Sequence, residues 1–261
     1  MSTTRTDIDR HIAHVTLNRP DVLNALNAQM AVDLGATVSA LADNEAVRCV
    51  VLSGAGDGFM AGGDIGFFKQ SLPELSRGET QRLAPLFDDV HAIVRGLRTM
   101  RKPVLASVHG AVAGFGVSLM AACDLVIAAE NTVFTLAYCH LGTSPDGGST
   151  YALPRMMGAK QAMELALLGE RFDAGRAQSL GLVNWVVPER ALQDKTRELS
   201  ARLAAGPTFA YGQTKSLLHQ SLESSLEAQL EAERDSFIEC ATTADFAEGV
   251  NAFLAKRKPR F

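Results

Sequence analysis

The chain has 261 residues, 47% of them hydrophobic, enough to bury a sizeable core and too apolar for extended disorder. A formal net charge of −4 gives no reason for attraction to a nucleic-acid backbone or to anionic lipid, so neither nucleic acid nor a membrane is an expected partner. The four cysteines lack C-x-x-C spacing and the first residues are polar with no apolar leader, so free thiols in a reducing, cytoplasmic setting are expected rather than disulfides or structural zinc.

β-Branched and apolar residues over 11–17 predict a strand, closed by the turn chemistry of Asn18-Arg19-Pro20-Asp21. Met30, Leu34, Val38 and Leu41 recur at helical spacing and predict an amphipathic helix over 27–43, followed by a buried strand over 48–52. A glycine-rich loop at 54–63, a helical region over 80–100 and a strand over 104–108, opened by Pro103, come next. A second glycine-rich segment, 109–116, leads into a short helix that begins near Gly116, and 124–129 reads as another strand. Strands that alternate with helices argue an α/β fold. Beyond about residue 188 the pattern is helical only, through Leu192, Leu199 and Leu203, then 222–237 and 246–253. That region must bury its apolar faces against the core or another subunit. The expected division is an α/β core over 1–200 and a helical oligomerisation region over 201–261.

Two segments carry candidate chemistry. Gly58-Phe59-Met60-Ala61-Gly62-Gly63-Asp64-Ile65 follows the Val50-Val51-Leu52 strand, and His109-Gly110-Ala111-Val112-Ala113-Gly114-Phe115-Gly116 joins a strand to a helix N-terminus. Glycines let backbone N–H groups approach a ligand, and a helix N-terminus adds unpaired donors. Each loop alone also fits a plain tight turn. Together they can converge on one carbonyl oxygen and stabilise an oxyanion.

With these loops stand Asn18-Arg19-Pro20, Asn24-Ala25-Leu26, Lys102-Pro103, Ala122-Cys123-Asp124, Leu141-Gly142 and Gly181-Leu182-Val183, in order along nearly the whole chain. The set resembles the crotonase (enoyl-CoA hydratase/isomerase) superfamily. Residues 134–155 are most similar to its 1,2-epoxyphenylacetyl-CoA isomerase branch. The resemblance implies a spiral of repeated β-β-α units, an acyl-CoA thioester substrate, a homotrimer or hexamer, and no cofactor beyond the coenzyme A the substrate carries. It assigns the oxyanion-hole amides to Gly63 and Phe115, the latter in place of the family's usual glycine. The adenine is expected against Ala61, Asp64 and Ile65, Arg19 and Ala25 near the pantetheine entrance, and Lys256 on a CoA phosphate, across a subunit boundary or not at all if it is simply a solvated basic end.

Hydratases of the family carry two glutamates where this chain has Ser118 and Tyr138, and an unperturbed hydroxyl is a poor base near neutrality. Asp146 fills a third position, where several non-hydratase members keep a catalytic aspartate. An aspartate in a partly apolar pocket can take and return a proton, although Pro145-Asp146-Gly147 also fits a helix N-cap. The expectation is an isomerase with Asp146 as acid/base, with an enoyl-CoA hydratase or a non-catalytic CoA-binding protein as alternatives. Tyr138 hydrogen-bonds an intermediate or fills the pocket, Ser118 satisfies a helix carbonyl, and acyl-pocket walls are expected around Phe67, Phe68, Leu86 and Val90. Covalent attack by Asp146, as in the dehalogenase branch, fits less well because Tyr138 stands where that branch resembles tryptophan. The spacing is not G-x-G-x-x-G, Ser118 lacks a G-x-S-x-G setting, and His91, His109 and His140 are isolated, which argues against dinucleotide, serine-hydrolase and metal chemistry. His109 is expected to pack at a strand end.

Overall fold

The computed structural model describes residues 2–261. The chain opens with an antiparallel hairpin of β1 (Thr4–Asp9) and β2 (Ile12–Leu17). Patterning misses β1 because it is an edge strand, exposed beyond Thr4 and so without apolar alternation. Helix α1 (Ala28–Asp43) follows, capped by the Asn27 side chain, which accepts from Met30 N at 2.9 Å, and it buries Met30, Leu34, Val38 and Leu41 as their spacing predicts.

One unit then recurs. It is β3 (Cys49–Gly54), β4 (Gly58–Met60), α2 (Ile65–Leu75) and α3 (Ala84–Thr99), then β5 (Val104–Val108), β6 (Ala111–Ala113) and α4 (Phe115–Ala121), then β7 (Leu125–Ala129), β8 (Val133–Thr135) and α5 (Ser149–Met157). The chain continues through α6 (Ala159–Leu168), β9 (Phe172–Asp173), α7 (Ala174–Ser179) and β10 (Trp185–Val187). It ends in α8 (Leu192–Ala204), α9 (Thr208–Ser221), α10 (Leu226–Ala241) and α11 (Ala244–Leu254). The first strand of each unit joins a large sheet in the order β1-β2-β3-β5-β7-β10, parallel from β2 onward. The second joins a small sheet in the order β4-β6-β8-β9. The β-β-α spiral is therefore built by dealing successive strands to two sheets.

Parallel strands are covered on both faces and read as continuous apolar runs, which is why every residue of β5 is buried. Side chains alternate between faces. Val50, Leu52 and Ala106 meet α1 and α3 through Met30, Leu34, Ile93 and Leu97. Cys49, Val51, Leu105 and Ile127 meet Leu192, Leu199 and Ala204 of α8. The division expected at residue 200 thus falls inside a helix that covers the sheet, and burial of Leu192 and Leu199 contributes about 2 kcal/mol each. Helix α9 is also tied to the core, by Lys215 Nζ on Asp124 at 2.8 Å and on the Leu97 carbonyl at 2.6 Å. Helices α10 and α11 bury only Ala252. All four cysteines are free; Cys49 and Cys123 are buried, and burial pushes the Cys49 thiol up to about 12. Among the described residues no helix is long and apolar enough to cross a membrane.

Candidate active site

The two glycine-rich loops meet. They carry β4 and β6, which pair in the small sheet, and Gly58 bridges Gly110. Further on, Gly62 (φ +91°) and Gly114 (φ +49°) lie back to back: a methyl on Gly114 would sit 3.4 Å from Gly62 Cα, and one on Gly62 3.2 Å from the Ala113 carbonyl. Only glycine combines that backbone with that approach. Among the described residues no acceptor takes the Gly63 or Phe115 N–H. Phe115, one residue earlier than the expected helix start, opens α4, and first-turn amides have no partner within their helix. Two unpaired donors therefore project from adjoining loops.

Ser118, Tyr138 and Asp146 gather beside them. Tyr138, in the 3-10 turn Tyr138–Leu141, donates from Oη to Asp146 Oδ1 at 2.5 Å, and Ser118 Oγ lies 3.4 Å from the same Oη. Ser118 Oγ donates to the Asp146 carbonyl at 2.9 Å, so its acceptor lies in a distant loop and not in its own helix as expected. The N-cap reading of Asp146 also falls, because the cap of α5 is Gly148 without a side-chain bond, and Ser149 N bonds the Asp146 carbonyl, leaving the carboxyl free of that duty. Burial raises the Asp146 pKa above its usual range, opposed by the Tyr138 hydrogen bond and by the charge of His91 on α3. Burial and the neighbouring carboxylate push Tyr138 far upward, so it stays a donor.

Aromatic rings wall this cluster. A methyl on Gly147 would lie 2.6 Å from Phe115 Cδ2, and one on Gly63 2.6 Å from Phe68 Cε2, so the Phe115 ring sits against the Asp146 loop and the Phe68 ring against the first donor. Phe67 meets Phe68 edge to face at 5.9 Å. Leu86 and Val90, expected with them as pocket walls, are buried in the same core cluster as Phe115 and Tyr138, against which Phe67 and Phe68 also pack.

The expected CoA residues also come together, with one exception. Residues 23–26 run beside 61–64 through Ala61 N to Leu23 O, Leu26 N to Gly62 O and Asp64 N to Leu26 O. Arg19 bridges them, donating to the Ala25 carbonyl at 2.5 Å and to Asp64 Oδ2 at 2.9 Å. Asp64 caps α2 through the Gly66 and Phe67 amides. Partial burial pushes its carboxyl up, but Arg19 and those amides outweigh it and hold the group below the usual range. Ile65 is exposed beside it. Lys256 is the exception. It is exposed, and the chain end is bound at the opposite end of β3 from the glycine loops, where Arg48 holds the Phe261 carbonyl at 3.1 Å.

Sequence reasoning gave no structural role to Asn24, which is fully buried in left-handed backbone (φ +57°) and donates to the Ala55 and Gly58 carbonyls at 2.9 and 2.8 Å while accepting from Arg19 N. An asparagine after a proline turn is the signal that suggests it. Two clefts open elsewhere: an apolar one of about 410 Å³ between α9 and α11, lined by Pro207, Phe246 and Phe253, and a polar one of about 480 Å³ beside α8, lined by His14, Ser107, His109 and Thr196.

A family model described as enoyl-CoA hydratase/isomerase matches residues 7–261. The chain is similar to a 1,2-epoxyphenylacetyl-CoA isomerase from Escherichia coli (strain K12), 37% identical across 97% of this chain and 96% of that protein. It is also similar to a probable enoyl-CoA hydratase from Rhodobacter capsulatus, 39% identical across 99% and 97%. A solved enoyl-CoA hydratase from Polaromonas sp. JS666 superimposes with a TM-score of 0.91 at 33% identity, over 98% of each chain.

Proposed function

The chain belongs to the enoyl-CoA hydratase/isomerase family, and from that premise we propose that it is an acyl-CoA isomerase that shifts a double bond or rearranges an unsaturated acyl group. The observation that carries the reading is the Tyr138 to Asp146 hydrogen bond, which places a single, half-buried carboxyl where the three acid positions meet. The other nearby carboxyl, Asp64, is engaged by Arg19 and the α2 amides.

In this reading the Gly63 and Phe115 amides polarise the thioester carbonyl and lower the barrier to losing an adjacent proton. Asp146 Oδ1 is held by Tyr138, so Oδ2 is the base that removes the proton. The resulting dienolate is held by the two amides, and the same carboxyl returns the proton to a different carbon. Hydration demands more: a water must be oriented and activated as well as a proton delivered, and Ser118 and Tyr138 offer no second carboxylate. Arg19, Ala25, Ala61, Asp64 and Ile65 form the coenzyme A entrance, and Lys256 reaches a CoA phosphate from a neighbouring subunit. The names of the relatives divide between isomerase and hydratase, so they support the family chemistry and leave the choice to the acid/base set.

Mass and NMR analysis of products from an acyl-CoA panel tests the reading. An isomer of unchanged mass is expected, and Asp146→Asn, which keeps the shape and removes the base, is expected to abolish its formation. Rapid addition of water with no double-bond shift in any substrate would put the hydratase in its place.

A further inference from the structure

We propose that His109 is a positioning residue that sets the separation of the two amide donors. Expected merely to pack at a strand end, it sits half-exposed just beyond β5, with Nε2 2.7 Å from the Gly56 carbonyl oxygen. A carbonyl only accepts, so Nε2 carries the hydrogen and the imidazole donates. Its own carbonyl accepts from Phe59 N at 2.9 Å. The adjoining Gly110 is pressed on the same segment, where a methyl would lie 1.9 Å from the Asp57 carbonyl oxygen, and it bridges Gly58. Residues 56–59 and 109–110 are thereby fastened at successive points, and the imidazole supplies the side-chain link, to the turn that enters the first loop.

That fastening lies directly upstream of both donors. Gly63 and Phe115 each come five residues beyond the bridged pair Gly58 and Gly110, two to three residues past the ends of the paired strands β4 and β6. A shift of one loop root against the other is carried along that short sheet to the space between the donors, and misplacements near 1 Å cost catalysis heavily. The imidazole also borders the polar cleft that holds Ser107 and Thr196, so water can reach the Gly56 carbonyl when the ring is removed. Loss of the ring therefore leaves no buried orphan, and the variant is expected to fold.

The inference rests on the assignment of Gly63 and Phe115 as carbonyl donors, and the experiment separates the two. The thioester C=O stretch is measured by infrared difference spectroscopy on bound butyryl-CoA labelled with heavy carbon at the thioester, for the native protein, His109→Ala and His109→Gln. The native protein is expected to move the stretch to lower frequency, His109→Ala to lose much of that shift, and His109→Gln, whose amide reaches the same carbonyl, to restore it. Turnover of His109→Ala is expected to fall on the order of tenfold at unchanged KM, less than the loss on deleting a donor outright. A full shift and native turnover in His109→Ala would overturn the role of His109 while leaving the donors in place. An equal loss in both variants, with KM and thermal midpoint moving together, would reduce it to packing and overturn it too. No shift in the native protein would instead remove the donors, and this inference with them.

Discussion

The hydrogen bond from Tyr138 to Asp146 sets the sign of the pH response at the site. Burial raises the Asp146 pKa and the tyrosine opposes that rise. Tyr138→Phe removes the opposing contribution, so the acid limb of kcat/KM against pH is expected to move to higher pH, and a limb that stays put or moves down would refute the coupling. Stability follows the same linkage. The unfolded chain releases this proton near its ordinary value of 3.8, before the folded chain does, so the contribution of the protonated acid is complete below 3.8 and is lost as pH rises through the raised folded value. Above that value the half-buried carboxylate is a liability, and Asp146→Asn is expected to raise the thermal midpoint while destroying activity, a pairing common where a site carries strain for function. Calorimetry on the two proteins checks it. The Gly63 donor is tested by Gly63→Pro, but the added carbons would strike the Phe68 ring, so the substitution belongs in a Phe68→Ala background. A loss on the order of a hundredfold in turnover relative to Phe68→Ala alone is expected from deleting one oxyanion donor.

Helix α9 illustrates how an element outside the sheet is tied to it through one buried side chain. Lys215 is nearly buried and pairs with Asp124, which also accepts from Val104 N at the start of β5. Burial alone raises the Asp124 pKa, and the lysine is the main opposing charge. Such a pair adds little over a well-packed apolar replacement, yet removal of one member strands the other. Lys215→Ala is therefore expected to cost about 3 kcal/mol or more, read from the denaturant midpoint at constant m-value, and Lys215→Ala with Asp124→Asn to recover part of it. Helices α1 and α3 depend on shape instead. Gly96 lets them close, since a methyl there would lie 2.6 Å from Val38 Cγ1.

At the scale of the molecule, the last helices leave apolar surface unmet. Helix α10 buries no residue in this chain, Phe253 is 83% exposed, Phe237 and Leu254 are exposed, and an apolar cleft lies between α9 and α11. A helix gains most of its stability from packing one face, and surface of this kind in a folded protein marks an interface. Assembly into a homotrimer or hexamer is the expected outcome. Sedimentation checks it: Phe253→Asp is expected to shift the native oligomer toward monomer, and a monomeric native protein with full turnover would count against it.

What the sequence determined by itself is local. The periodicity of Met30, Leu34, Val38 and Leu41, the largely apolar run of β5 and the alternation of strands with helices follow from neighbours a few residues apart, so they are legible without the fold. The order of the glycine loops and of Asn18-Arg19-Pro20 through Gly181-Leu182-Val183 was legible in the same way, and it sufficed for the family. The short strands β4, β6 and β8 were not, because three residues carry no period and their partners come from other turns of the spiral. Tertiary structure also decided whether the Asp146 carboxyl caps a helix or faces Tyr138, where Ser118 finds its acceptor, that α8 belongs to the core, and that Lys256 lies away from its own chain's site. Each depends on side chains brought together from distant positions, with burial and hydrogen-bond geometry choosing among partners that residue spacing leaves equally open.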